Sequence, residues 1–433
     1  ERSRDKSFIN LICSENYPSA AVREALGAHI PGNLNHLKGT EGYPGGRFYG
    51  GRQHIDDIER LCCKRALQTF DLDPKEWGVN VQPLSGALAN LYTYTALMKP
   101  GDKIMGLDLS HGGHISHGFQ TGGKKVSEVA VRFESTPYYL NPITELIDYE
   151  ELERSAIRAK PKILIAGAST YNRLIDYPRM RAISNKIGAL LHSDIAHICG
   201  MIAAGEIPSP FPVSHVVTTT SLKTLRGPRA AMIFYRQEFR SDIDQTVFPR
   251  FQSGPDHRNT LALAVALRQA QGNHFKAYQR RVMENTKVVA TALQQRGYSI
   301  LSGGSDIHLL VLKVRDRGID GAQLDKVLEA ANVSSNRNAI PGDTSGFKPG
   351  GLRIGSAPMT TKGFGTAHFK RVADIIHQAV QLSAEISRRK KSSTKDEAKD
   401  SKSLSSFLKD MRTSEVKVLE ELKQNVSDLL KGL

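Results

Sequence analysis

Apolar and polar positions along this chain follow two rhythms. Short runs dense in aliphatic and β-branched residues recur as "DKIMGLDLS", "KVSEVAVRF", "PKILIAGAS", "GALLHSD", "HVVTTTS" and "AAMIFYR". Their brevity and near-continuous apolarity predict buried strands. Helical spacing appears between and around them, as in "GALANLYTYTALM" and in "SAAVREALGAHI", where Ser19 stands ready as an N-cap. Strands that alternate with helices from about residue 55 onward predict βα units and a mostly parallel sheet. The fold class expected is therefore α/β.

The pattern also divides the chain. Residues 1–30 predict an N-terminal arm with a first helix, and residues 31–273 a large domain that opens on the Gly-rich loop "PGNLNHLKGTEGYPGGRFYGG". "FKAYQRRVMENTKVVATALQQRGY" predicts a long amphipathic helix leading into a smaller α+β domain, residues 274–433, with the strand "HLLVLKV". Residues 387–403, "SRRKKSSTKDEAKDSKS", predict a charged low-complexity linker. One or two amphipathic helices should follow it, in "LSSFLKDMRTSEVKVLEELKQNVSDLL". No internal repeat is present.

Composition narrows the picture. A chain of 433 residues exceeds one ordinary core, which agrees with two domains. With 39% hydrophobic residues and no apolar run of about 18 residues, the chain reads as globular rather than membrane-spanning. No stretch reads as a signal peptide. The chain begins at Glu1 rather than at methionine, so the reading leaves room for a preceding segment. The compartment expected is cytoplasmic, or mitochondrial if a transit peptide has been removed. The net charge of +15 suits anionic ligands. Part of it lies in the tail and the remaining lysines are scattered, which argues for a solvated basic surface and against a nucleic-acid groove. Cys13, Cys62, Cys63 and Cys199 form no CxxC pair, so a reduced compartment is the default.

"GFQTGGKK" nearly matches a P-loop but has Lys125 where the magnesium-binding hydroxyl belongs, so a surface glycine turn is the better reading. His111, His114 and His117 in "SHGGHISHG" recur every third residue. A metal site ranks below an imidazole laid over a flat aromatic ligand, because the loop carries no adjacent acidic ligand. Asp194 ends a predicted buried strand, where open α/β sheets bind ligands. It would need a cationic or hydrogen-bonding partner there, and an N-cap role fits equally well. The Ser85-Gly86 pair opens a helix and so offers amides and a positive dipole end to an anion, or is an ordinary cap. Lys223, after Thr218, Thr219, Thr220 and Ser221, reads alone as a surface lysine. Taken in order with Arg353 in "GGLRIGS", these elements make an anion cradle, a stacking imidazole, a strand-end carboxylate, an amine and a carboxylate clamp. Pyridoxal phosphate requires that set.

The motifs "SENYPSAAVREALG", "EGYPGGRFYGG", "HGGHISHG", "DIAHICGMIAAGEIPSPF", "TTTSLKTLRGPR" and "GLRIGS" carry a resemblance over nearly the whole length. The chain resembles the serine hydroxymethyltransferase (glycine hydroxymethyltransferase) family of eukaryotic cytosolic type. The resemblance implies a fold-type I pyridoxal 5′-phosphate enzyme that moves the hydroxymethyl carbon of serine to tetrahydrofolate and leaves glycine. It implies a homodimer or tetramer with active sites shared between subunits, and no membrane or nucleic-acid partner. By the same resemblance Lys223 holds the cofactor covalently, Asp194 keeps the ring nitrogen protonated, and His114 stacks on the ring. Ser85, Gly86 and Gly254 serve the phosphate, Ser169 and His197 neighbour the phenolic oxygen, and Thr220 lies by the amine. Arg353 clamps the substrate carboxylate, and Ser14 and Tyr49 reach the substrate across the dimer. Glu41 serves proton transfer, and Leu109, Ile115 and Asn338 contact the folate. No metal is implied.

Four departures from the family pattern surround the phosphate site. Leu222 stands where the family has a histidine, Ala87 replaces a second serine, Gly39 replaces a tyrosine, and Ser253-Gly254 precedes "PDHRN" where the family tends to "PHNH". Each lost hydrogen bond to a charged group is worth about 1.5–3 kcal/mol, so weakened cofactor binding is expected. Two alternatives remain beside the main reading. One is a folate-independent aldolase or transaldolase on β-hydroxy amino acids. The other is a non-catalytic partner subunit.

Overall fold

The computed structural model describes residues 6–30, 53–343, 348–393, 407–409 and 411–431. Strand β1 (Ile9–Asn10) and helix α1 (Ala20–Leu26) form the arm, and Ser19 caps α1 by accepting from the Val22 amide. Helix α2 (Gln53–Thr69), β2 (Trp77–Asn80), α3 (Gly86–Leu97) and β3 (Lys103–Met105) follow. The near P-loop is an exposed hairpin of β4 (Gln120–Thr121) and β5 (Lys124–Lys125), turned by Gly122 and Gly123 at positive φ.

The segment "KVSEVAVRF", expected as a strand, is instead mainly helix α4 (Glu128–Arg132) before the short β6 (Glu134–Ser135). Ser127 decides this locally, because its hydroxyl accepts from the Ala130 amide and starts a helical turn. Val129 and Ala130 then face inward while Val131 is left exposed.

The alternation resumes with α5 (Tyr149–Ala159), β7 (Ile163–Gly167), α6 (Tyr177–Ile187), β8 (Leu190–Asp194), α7 (Cys199–Ala203), β9 (Val216–Thr220) and β10 (Ala231–Arg236). The sheet order is β2-β10-β9-β8-β7-β3-β6, with β10 antiparallel to both its neighbours and the rest parallel to one another. Central strands β7 and β9 are buried along their whole length, as the continuous apolar runs require.

After α8 (Arg240–Gln245) and α9 (His257–Ala270), the long helix α10 (Asn273–Gln295) leads to a second layer. There β11 (Leu309–Lys313), α11 (Gly321–Ala330), β12 (Val333–Ser334), β13 (Asn336–Asn338) and β14 (Gly351–Gly355) precede α12 (Ala357–Thr361), α13 (Thr366–Ser393) and α14 (Thr413–Leu430). The three-stranded sheet β11-β14-β13 and these helices enclose a second core, including Leu310, Leu312, Phe369, Leu422 and Val426. Strand β1 pairs in parallel with β12, so Ile9 and Leu11 belong to that core.

The expected linker is partly helix. Residues 387–393 continue α13, because Ser387 is buried and donates to the Gly318 carbonyl. Arg389 there makes a two-pronged ion pair with the buried Glu415 of α14, at 2.9 Å for each prong. Glu415 also accepts from the Arg412 amide and so starts α14. Removing one partner strands a buried charge, so Arg389→Ala should lower unfolding stability by about 3 kcal/mol in urea titration.

Candidate active site

The carboxyl ends of the parallel strands meet at one edge, and the candidate residues gather there. Asp194 is the last residue of β8, Thr220 the last of β9, and Ser169 and Lys223 follow β7 and β9. Gly167 closes β7 opposite Asp194, where a Cβ would come within 2.7 Å of the Asp194 Cβ.

Asp194 meets the first of its two expectations and not the second. Its Oδ1 accepts from the Ala196 amide at 3.0 Å within a turn, but the next helix, α7, is capped at Ile198 without any side-chain bond, so Asp194 is not its N-cap. Its Oδ2 accepts from Asn90 Nδ2 at 2.8 Å and meets His117 Nε2 at 3.0 Å. Burial opposes ionisation of this carboxyl, but His117, His114 and Asn90 outweigh it and hold the group well below the usual carboxylate range. Asn90 also accepts from Thr218 Oγ1, which contacts His192 Nε2, and His192 Nδ1 meets the Tyr94 hydroxyl. A buried polar chain thus ties helix α3 to strands β8 and β9.

His114 caps the short turn Ile115–His117, accepting at Nδ1 from the Ser116 amide. Burial and then the neighbouring His117 push its pKa down to about 4, so the ring is neutral at pH 7. Leu109 and Ile115 flank it in short turns, with Ile115 half exposed.

Lys223 sits in a turn pinned at several points. The Gly227 amide donates to the Ser221 carbonyl, Thr224 Oγ1 donates to the His197 carbonyl, and Asn16 Nδ2 donates to the carbonyl of Lys223 itself. The amine has no hydrogen bond or ion pair among the described residues. Burial lowers its pKa, and the Asp194 charge works in the opposite direction. Arg353, central in β14, donates to Asn336 Oδ1 at 3.0 Å, the Ser169 carbonyl at 3.1 Å and Thr170 Oγ1 at 3.3 Å. All are neutral acceptors, and no carboxylate pairs with it among the described residues. Ser169 Oγ lies 3.5 Å from His197 Nε2, and Thr170 Oγ1 donates to Asn338 Oδ1 at 3.1 Å.

Ser85 caps α3, accepting at its hydroxyl from the Leu88 amide. Gly86 lies against Thr220, whose Cγ2 would be 2.8 Å from a Cβ at position 86. The amides of Gly86 and Ala87 have no acceptor among the described residues, as expected of a first helical turn. Leu222 is half buried beside Lys223.

Ser14 follows Cys13, whose thiol lies within electrostatic reach of this chain's own Arg353 and Lys223. The β1–β12 pairing and the Gly355 amide, which donates to the Leu11 carbonyl at 2.7 Å, dock the arm on β14. Gly254 is exposed before α9 and has no hydrogen bond to the cluster among the described residues. Glu41 and Tyr49 lie outside the described residues, as does Gly39.

Asn90, Thr170 and Asn336, which no motif singles out, also belong to the site, as does His117 of the His-rich loop. A signal exists for the two asparagines. Asn90 is one helical turn beyond Gly86, and Asn336 shares a strand face with Asn338 directly opposite Arg353.

A family model described as serine hydroxymethyltransferase matches residues 1–376. The chain belongs to the serine hydroxymethyltransferase family. It is 51% identical over 408 residues to a putative mitochondrial serine hydroxymethyltransferase of Neurospora crassa, covering 90% of this chain and 74% of that protein. The mitochondrial serine hydroxymethyltransferase of Schizosaccharomyces pombe is 49% identical, with 89% and 81% covered. The cytosolic serine hydroxymethyltransferase of Neurospora crassa is 47% identical, with 99% and 90% covered. Both compartments thus occur among the names of these relatives. The seven-stranded, mostly parallel sheet is the fold-type I architecture of the serine hydroxymethyltransferase family. No helix among the described residues is long and apolar enough to cross a membrane.

Several buried imidazoles make the fold acid-sensitive. Burial lowers His114 to about 4 and His192 and His308 to about 3, against about 6.5 in the unfolded chain. Between those values the unfolded chain binds protons that the folded chain refuses, so stability is full above pH 6.5 and falls as pH drops. Urea midpoints measured across pH 7 to 4 should therefore fall steeply below about pH 6.5.

Proposed function

We propose that this protein interconverts serine and glycine, passing the hydroxymethyl carbon to tetrahydrofolate with pyridoxal 5′-phosphate as cofactor. One observation carries the reading. The Lys223 amine has no hydrogen bond or ion pair and the Arg353 guanidinium no anionic partner among the described residues, and β14 brings Arg353 over the sheet edge where an ionised Asp194 stands. A phosphorylated pyridine aldehyde and an amino-acid carboxylate together supply what these three groups lack. The names of the relatives support the same reading over the folate-independent alternative.

The residues fit that cofactor in the following roles. Lys223 would provide the amine for its aldehyde carbon. The Asp194 carboxylate, kept ionised by its own partners, would hold a proton on the ring nitrogen. His114, neutral at pH 7, offers a ring face without adding charge. The amides of Gly86 and Ala87 and the Ser85 hydroxyl receive the phosphate at the positive end of α3. Ser169 and His197 Nε2 reach the phenolic oxygen, and Thr220 lines the wall next to the amine. When bound, the cofactor supplies an electron sink for the bond broken between the α and β carbons of serine.

Arg353 orients the amino acid by its carboxylate, and Asn336 and the Ser169 carbonyl orient Arg353. Ser14, next to Cys13, would reach the substrate as the resemblance implies. In this reading Leu109, Ile115 and Asn338 border the folate, Glu41 moves the proton of the substrate hydroxyl, and Tyr49 and Gly254 come from a second copy in a dimer or tetramer.

Mixing the protein with serine and tetrahydrofolate should yield glycine and methylenetetrahydrofolate, and absence of that product would defeat the reading. Lys223→Ala should abolish turnover. Arg353→Lys keeps the charge but loses the fork, so KM for serine should rise roughly ten- to a hundred-fold in steady-state assays, as expected for about 1.5–3 kcal/mol.

A further inference from the structure

Behind the candidate active site, three metal-ligating groups converge from distant parts of the chain. Cys13 lies in the turn after β1, His197 in the connection between β8 and α7, and His308 directly before β11. The Cys13 thiol and one ring nitrogen from each histidine all lie within 4.8 Å of one another. All three residues are buried. His197 Nδ1 faces His308 Nε2 at 3.4 Å, with ring centroids 5.5 Å apart and planes inclined by 27°. Two nitrogens on one ion at about 2.0–2.1 Å stand roughly 3.3–3.6 Å apart, so the facing pair already has ligand spacing.

The imidazoles are otherwise poorly used. The His197–His308 contact and the 3.5 Å contact from His197 Nε2 to Ser169 both exceed good hydrogen-bond length. His308 Nδ1 has no partner of good geometry among the described residues, and the ring's other recorded contact is with the Cys13 backbone, a member of the same cluster. Buried polar groups with so few short bonds call for an explanation. The backbones around them are held firmly. Thr224 Oγ1 donates to the His197 carbonyl, the Ser356 amide donates to the His308 carbonyl, and Gly355 lets Cys13 approach where a Cβ would clash at 2.5 Å.

We propose that Cys13, His197 and His308 form a binding site for one soft d10 metal ion, and that charge selects copper(I). The site faces the positive guanidinium of Arg353. A divalent ion with one thiolate would add a further positive charge, whereas copper(I) with one thiolate adds none. Thiolate and imidazole ligands suit copper(I), and the cluster offers three ligands. Binding replaces the thiol proton, which leaves to solvent, so the site gains metal as pH rises. A cavity lined by Ser169, His197, Ile307 and Leu309 adjoins the cluster and gives an approach. Metal on His197 Nδ1 would leave Nε2 as a donor toward Ser169 and the active site, so the two sites share one imidazole without competing for a nitrogen.

The test is an anaerobic titration of the cofactor-loaded protein with copper(I) against a chromophoric copper(I) chelator, with a parallel zinc(II) arm. The account expects one copper(I) per chain, an X-ray absorption spectrum with one sulfur and two nitrogens, and weaker zinc uptake. Cys13→Ala and His308→Asn should each weaken copper(I) binding by more than the roughly 10–100-fold that outer-shell changes cause. Cys63→Ala should leave binding unchanged. Retained visible cofactor absorption in Cys13→Ala would show that the variant is folded. No stoichiometric uptake by the parent, equal uptake by folded Cys13→Ala, or preference for zinc would each overturn the assignment.

Discussion

An ionised carboxylate at the end of a buried strand is the constraint that organises this molecule. Asp194 can keep its charge away from water only because His117 and Asn90 bond to it. Those two residues come from different elements, the His-rich loop after β3 and the first turns of α3. Satisfying one charge therefore fixes a helix and a loop against the sheet. The same placement sets the mouth of α3 beside Thr220, and the turn that carries Lys223 follows directly. The first turn of α3, the His114 imidazole and the Lys223 amine are thus held in one frame by the partners of one carboxylate.

The second layer completes the site with charge of the opposite sign. Strand β14 brings Arg353 over Ser169, and β13 supplies Asn336 to aim it. No described acid neutralises Arg353 or Lys223, so the edge has a net pull on anions. That local field matters more for function than the overall charge of +15, much of which is scattered over the surface or in the tail. The departures at Leu222 and Ala87 leave this frame intact. They remove side-chain donors near the proposed phosphate seat while the backbone amides of α3 remain in place.

Much of this was legible in the sequence because strand ends announce themselves. "ALLHSD" and "VVTTTSLK" each pass from apolar to polar at the sheet edge, and Asp194 and Lys223 stand at those transitions. What escaped did so for definable reasons. The run "SEVAVR" fits both rhythms when it is this short, and a single serine cap tips it to helix. Residues 387–393 are helical because Arg389 finds Glu415 across a second helix, a pairing no local pattern reveals. Asn90 and Asn336 look like incidental polar residues until tertiary structure aims them. The Cys13, His197 and His308 cluster is more remote still, with 111 residues separating its two histidines.

The central claim is that this fold holds Lys223 as the amine that captures a phosphorylated pyridine aldehyde. Borohydride reduction of the pyridoxal phosphate-loaded protein, followed by peptide mass mapping, tests it most directly. The account predicts a single stoichiometric phosphopyridoxyl label on Lys223. Labelling at other lysines, or no label under saturating cofactor, would contradict it.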